Sequence, residues 1–400
     1  MKTYIYTYTL VITLALLAVA QNASAAWGDY DTTFGFLGAA IDGSVVNHYP
    51  VGVAVQPDGK ILVTGYRMVG GKKRFFLRRY HSNGQVDTSF GNNGSATSNA
   101  FLNSSADYSG SRIVVQANGR IAVAGLGGGY ATIWRFLSSG SADNSIGMGG
   151  MKTLTTYPDT TPRIATHSNI LYAAIKKPGS VAEVVIKFNS NGTRDLSFGS
   201  GGEATTGGTD ITLGIEPATG NILIGGRNAE NFQSHGVERM FPTGVLDGTF
   251  NAYSATVSHP HFYTSRFLRL SNGQFVVNER GLDVGGALFF WANLVRLSSN
   301  GAFTSSTEFE PREMIYPAES PTGPCPEVLA QQGDGRVILK GNDFDELFRF
   351  SADFASVQTM SCGSYANLDY PKSHAVLQSD DKMVAAGRYN GYITLVRTLP

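Results

Sequence analysis

Charge is scarce in this chain. Asp, Glu, Lys and Arg make up 16% of its 400 residues, and Lys+Arg and Asp+Glu are both 31. No basic field is present to draw in a nucleic-acid backbone, so nucleic acid is excluded as a partner. No acidic block suggests a disordered tail. Cysteine is nearly absent: Cys325 and Cys362 stand alone, and their separation carries no metal-site signature. No segment beyond the first 25 residues resembles a membrane span, and no segment shows a sustained 3.6-residue apolar period. Glycine is abundant instead, at 48 of 400 residues, against an average near ~7%. With 42% hydrophobic and 11% aromatic residues the chain can bury a core.

The N-terminus reads as an export signal. Lys2 is followed by the apolar run Leu10–Ala20, too short to span ~30 Å of hydrocarbon comfortably, and then by Ala23-Ser24-Ala25. Cleavage after Ala25 is expected, leaving 26–400 as a single domain outside the inner membrane: secreted, periplasmic or on the cell surface. An uncleaved anchor is the alternative. No cysteine follows the run, which argues against a lipid-anchored lipoprotein. In an exported chain an even cysteine count favours a disulfide, here Cys325 with Cys362, with two free thiols as the alternative.

An internal repeat organises the rest. The clearest copies of its first half are VGVAVQPDGKILVTGY (51–66), SRIVVQANGRIAVAGL (111–126) and TLGIEPATGNILIGGR (212–227). Turn residues fall at Gly59, Gly119, Ser168, Gly220, Gly273, Gly335 and Asp381, which gives seven copies. Each first half reads as a β-hairpin, two apolar strands around a tight turn.

The second half is a hairpin with a sharper signature. A basic residue lies in its first strand in every copy: Arg79, Arg135, Lys187, Arg239, Arg296, Arg349 and Arg397. Five residues later comes Gly84, Gly140, Gly192, Gly244 or Gly301, with Phe354 in the sixth copy. Asp87, Asp143, Asp195 and Asp247 follow, each leading into Phe-Gly or a relative; copies five and six have Thr304 and Val357 in place of the Asp. A three-residue loop Ser82-Asn83-Gly84 would set Arg79 opposite Asp87, a cross-strand charge pair contributing ~0.2–1 kcal/mol. Because the pair repeats, it reads as structural rather than catalytic.

Seven four-stranded repeats predict an all-β, seven-bladed β-propeller with antiparallel blades. The last copy stops at Tyr392–Pro400 without its Asp segment, while the chain beyond residue 25 opens on Asp31-Thr32-Thr33-Phe34-Gly35. Residues 29–35 are therefore expected as the outer strand of the last blade, with Arg397 facing Asp31, so that an N-terminal strand closes the ring and covers a sheet edge.

These residues resemble the delta-60 repeat family of bacterial exported proteins, most strongly over QPDGKILVTG and RRYHSNGQVDTSFGNNG (78–94). The resemblance fades in copies five and six. It implies a secreted or cell-surface propeller and supplies no catalytic residues.

In such a blade the short turns share one face, while the inter-hairpin loops and the crossings between blades share the other. The second face varies in length and content, as binding surfaces do. It carries Tyr66, Arg67, Tyr130, Arg227, Phe289, Trp291, Arg388 and Tyr389, rings and hydrogen-bonding groups suited to a carbohydrate, a peptide or an envelope polymer, unless the rings merely cap the blades. His259 and His261 lack a third ligand, and Asp343, Asp345 and Glu346 lack the rest of a calcium loop, so no metal is expected. No nucleophile elbow, phosphate loop or zinc-protease motif occurs, and nothing calls for a cofactor. Both cysteines fall in crossings on this face, flanking the sixth blade. The sequence points to an exported, monomeric binding module; a secreted hydrolase or lyase working at the central channel is the alternative.

Overall fold

The strands are short apolar runs separated by turns, and in this computed structural model they pair into seven sheets. The structure describes residues 26–400 apart from 97–105, 229–233, 252, 257–260, 284–288, 309–311, 314–328, 341–345 and 362–374. Residues 1–25, the two cysteines and His259 lie outside the described residues, as do the side chains of His261, Asp343, Asp345 and Glu346.

From the inner strand outward, blade 1 is His48–Val55, Ile61–Val69 and Lys72–Tyr80. Blade 2 is Tyr108–Val115, Ile121–Gly127, Tyr130–Phe136 and Met151–Pro158. Blade 3 is Arg163–His167, Ile170–Lys176, Glu183–Phe188 and Glu203–Thr205. Blade 4 is Gly208–Ile215, Ile222–Asn228, Ser234–Met240 and Tyr253–Thr256. Blade 5 is His261–Arg269, Phe275–Asp283, Phe289–Leu297 and Phe303–Glu308, and blade 6 is Leu329–Gln331, Val337–Lys340, Glu346–Phe350 and Val357–Ser361. Blade 7 joins Ala375–Leu377, Met383–Tyr389 and Tyr392–Thr398 to Ala39–Val46 from the other end of the chain. All of these pairings are antiparallel.

The middle strands are apolar on both faces because each blade is sandwiched between two others. Ile121 and Val123 pack toward blade 1, while Ala122 and Ala124 pack toward blade 3. The buried apolar residues form seven clusters, each shared by two neighbouring blades. Val53 and Val63 of blade 1 meet Val384 and Ala386 of blade 7 in one of them, so the ring is closed.

The repeated charge pair is present as counted. His81 N–H donates to Gln85 O, closing the three-residue loop, and Asp87 N–H donates to Arg79 O. Arg79 Nε lies 2.8 Å from Asp87 Oδ2, Arg135 Nε 2.8 Å from Asp143, Lys187 Nζ 3.0 Å from Asp195 and Arg239 Nε 2.8 Å from Asp247. The other carboxylate oxygen accepts from the hydroxyl two residues on, Ser89, Ser145, Ser197 or Thr249, which fixes the turn. Two contacts then reach the next blade. Arg79 Nη1 donates to Ser138 O, and Gly91 N–H donates to Ser139 O. Lys187 reaches the next blade in the same way, through Pro242 O, whereas Arg135 bonds only to its own turn and its Nη1 has no hydrogen-bond partner.

Closure follows the same chemistry, but the strand differs from the expectation. Residues 29–35 are not the outer strand of blade 7. They run past its end, with Tyr30 bridging Thr398 and Asp31 N–H donating to Arg397 O, and the outer strand is Ala39–Val46, with Ala40 opposite Leu395. In the copies that keep the Asp, as here, its segment is a turn stapled to the basic strand, and regular strand pairing resumes only after it. Arg397 Nε lies 2.8 Å from Asp31 Oδ2, and Arg397 Nη1 donates to Ser82 O of blade 1 at 2.7 Å. A second lock is peculiar to this junction. Asp42 of the closing strand is buried and accepts from Arg78 Nε, and from Tyr80 Oη at 2.9 Å, both in blade 1.

Candidate functional site

The turns between second and third strands, with the crossings, form the variable face. A cluster of stacked rings and cations sits where blade 7 meets blade 1. Asn47, at φ 57°, links the closing strand directly to the inner strand of blade 1. Its N–H donates to Gly391 O at the tip of the blade 7 hairpin, and its carbonyl accepts from Met68 N–H in the blade 1 hairpin. The two tips are thereby held side by side.

Next to this residue, Tyr49 and Tyr66 are direct cross-strand partners and their rings stack, 4.8 Å apart at 7°. Lys73, diagonal to Tyr66 on the neighbouring strand, places Nζ 4.7 Å over the Tyr66 ring. Arg388, from the second strand of blade 7, places its guanidinium 4.3 Å over the Tyr49 ring. The result is a row, Arg388–Tyr49–Tyr66–Lys73, running across the junction of the two blades. Each cation–ring contact is worth ~0.5–1 kcal/mol at a partly exposed site. Arg67 is exposed beside the row, and Lys72 lies half-buried at the hairpin tip. Asp107 accepts the Lys73 backbone N–H at 2.9 Å.

Of the residues proposed from sequence, Tyr66, Arg67, Arg388 and Tyr389 come together here. Tyr130 stands apart on the blade 2 hairpin, 38% exposed. Arg227, Phe289 and Trp291 occupy strands of blades 4 and 5 on the backbone, and their side chains lie outside the described residues. Sequence reasoning missed Tyr49 and Lys73. The bulge between Pro50 and Gly52 hides Tyr49, because counting from the Gly59 turn without it puts Pro50 opposite Tyr66.

The central channel is lined by the inner strands of all seven blades and encloses about 280 Å³. Gly52, Arg112, Arg163, Thr212, Phe267 and Val376 contribute to it. Arg163 Nη1 lies 3.3 Å from Glu183 Oε1. Among the described residues no group of three or more His, Cys, Asp or Glu is placed to hold a metal.

His48, behind the row, has its imidazole pushed below the ordinary range by burial and by the nearby charges of Arg67 and Arg78. It is therefore neutral at physiological pH.

Residues 56–90 match a family model described as a β-propeller domain of unknown function, DUF5122. No curated protein matches the chain. Among solved structures it is similar to a streptogramin B lyase, at 13% identity over 90% of this chain and 96% of that one, with a TM-score of 0.48. It is also similar to YCF48 from Cyanidioschyzon merolae, at 10% identity over 90% and 98%, TM-score 0.51. A third is the extracellular domain of the putative one component system BT4673 from B. thetaiotaomicron, at 11% identity over 89% of this chain and 39% of that one, TM-score 0.51. At these identities the likeness is one of fold. Among the described residues no helix is long and apolar enough to cross a membrane. The chain is a seven-bladed β-propeller carrying a propeller-family repeat.

Proposed function

We propose that this protein is an exported binding module that takes a carbohydrate, peptide or cell-surface polymer on its variable face, at the junction of blades 7 and 1. One observation carries the reading: the Arg388–Tyr49–Tyr66–Lys73 row is built from two blades, is held by backbone hydrogen bonds through Asn47, and opens onto the face whose loops differ from blade to blade. The charge pairs of the other face repeat and serve the ring; among the described residues this row does not repeat. The apolar run before Ala25 supports export.

The test is a panel of soluble polysaccharides and peptides presented to the protein beginning at residue 26, read by thermal shift and by surface binding. At least one ligand class is expected to raise the melting temperature, and Tyr49→Ala is expected to abolish that rise while leaving the unliganded fold cooperative. No ligand shift across the panel, or shifts indifferent to Tyr49→Ala, contradict the assignment.

A further inference from the structure

Stacking of a neutral sugar needs an open ring face, and this row offers none. Tyr49 and Tyr66 cover each other's inner faces. The outer face of Tyr49 is covered by the Arg388 guanidinium and that of Tyr66 by the Lys73 ammonium. What the row presents to a ligand is charge held at fixed spacing, not aromatic surface. The rings act as spacers and as partial compensation for the cations.

The surroundings are mainly basic. Arg67 is exposed alongside, and Lys72 and Arg74 flank Lys73 on the same hairpin. No ion pair joins Arg67, Lys72, Lys73 or Arg388 to a carboxylate among the described residues, and the Nε of Arg388 is buried with no hydrogen-bond partner. Asp107, the nearby carboxylate, accepts the Lys73 backbone N–H and keeps its charge, but no ion pair joins it to the Lys73 ammonium. A half-buried guanidinium without a counter-charge raises the free energy of the unliganded protein, and an arriving anion relieves it. The cluster is local in a chain whose acidic and basic residues balance, so it reads as a site and not as a general basic coat.

We propose that the ligand of this site is an acidic polysaccharide, a chain bearing carboxylates at regular intervals, bound along the row from Arg388 to Lys73. The proposal rests on the binding-module reading and narrows it. Two cations set at the ends of a stacked pair of rings, one from each blade, match a linear polymer with spaced charges. A bilayer needs no such preorganised arrangement, and the exposed large apolar side chains about the row, Val46, Met68, Val69 and Tyr389, make the vesicle arm of the test below necessary.

The experiment compares binding of the protein beginning at residue 26 to polygalacturonate, to a neutral galactan and to phosphatidylglycerol vesicles, at low and high salt. Polygalacturonate is expected to bind, weakening as salt rises. Lys73→Gln and Arg388→Gln are each expected to weaken it at least about tenfold, with Arg388→Lys recovering part of the loss. Melting temperatures identify any variant that fails to fold; the salt dependence of the unaltered protein and the lysine variant then decide. Equal or tighter binding of the neutral galactan overturns the acidic assignment while leaving a binding module standing. Binding to vesicles alone, or polygalacturonate binding untouched by the double glutamine variant, also overturns it. Binding to nothing in this set or in the wider panel removes both readings.

Discussion

The glycine of the second-hairpin turn is fixed by its neighbour as much as by its own conformation. Gly140 sits at φ +90°, and a Cβ there would lie 2.7 Å from the backbone N of Gly91 and 2.9 Å from the Phe90 ring of the preceding blade. The turn has no room because the previous blade's Phe packs onto it, with Arg79 stacked 4.3 Å over that same ring. Blade 5 has no such Phe, and there the logic inverts. Phe354 of blade 6 takes the glycine position at φ 63°, and its own ring lies under Arg296 at 4.7 Å. Blade 6 also lacks the Asp and the Phe. Arg349 uses Gln358, at 2.6 and 2.9 Å, and stacks 4.6 Å over Trp27 from the N-terminal segment. The two divergent copies thus keep the basic strand covered with substituted parts. Gly140→Ala is expected to lower stability by ~2–4 kcal/mol in urea unfolding, since both strain and a backbone clash arise. Phe354→Ala is expected to cost about 1–2 kcal/mol, because only a partly buried ring is lost. Equal effects at the two sites would contradict this account of the turn.

Asp31 carries a pH signature. Partial burial opposes its ionised form, but hydrogen bonds from Thr33 and Lys382 and the charge of Arg397 outweigh that and hold its pKa at about 2, against an ordinary 3.8. A folded pKa below the unfolded one stabilises the protein above pH 3.8, and the contribution is lost as pH falls toward 2. Asp31→Asn is therefore expected to destabilise by roughly 1–2 kcal/mol at neutral pH, allowing for solvent screening, with the difference from the unaltered protein vanishing near pH 2. A difference that persists at pH 2 would show that the amide itself, not the charge, is at fault.

At the scale of strands, the closing element is held twice, by Asp31 with Arg397 and by Asp42 with Arg78 and Tyr80. Arg78 is 4% exposed and Asp42 5%. Arg78→Met leaves a buried carboxylate without its cation, and a loss of ~3–5 kcal/mol is expected in chemical unfolding. Arg78→Met combined with Asp42→Leu should recover much of this; additive losses would sink the pairing.

The repeat, the blade count, the basic–Asp pairs and the end-to-end closure were all legible in the sequence, since each depends on a local spacing that recurs along the chain, the pair itself in five of the seven copies. The strand that closes the ring was not. Asp31-Thr32-Thr33-Phe34-Gly35 carries the signature, yet the hydroxyl at Thr33 turns the chain at that point, with Oγ1 2.6 Å from Asp31 Oδ1, and pairing resumes only at Ala39. The row at the blade 7 and blade 1 junction was half legible: Tyr66 and Arg388 stood out as loop aromatics and cations. Tyr49 is brought opposite Tyr66 by a bulge with no sequence mark, and Lys73 reaches the ring by a diagonal contact. Both facts belong to the sheet and not to the spacing.

Across the whole molecule, closure and the candidate site are one construction. Arg388 lies near the C-terminus and Tyr49 near the N-terminus, and they meet because the first strand completes the last blade and Asn47 carries the chain straight into blade 1. The strand Ala39–Val46 covers the edge that Tyr392–Thr398 would otherwise present, which counters edge-to-edge association. Backbone amide hydrogen exchange on the intact chain tests this most directly. Residues 39–46 are expected to be protected together with 392–398, and Arg397→Gln should accelerate exchange in both segments at once. Rapid exchange of 39–46 in the unaltered protein while 392–398 stays protected would contradict the closure on which both the ring and the site depend.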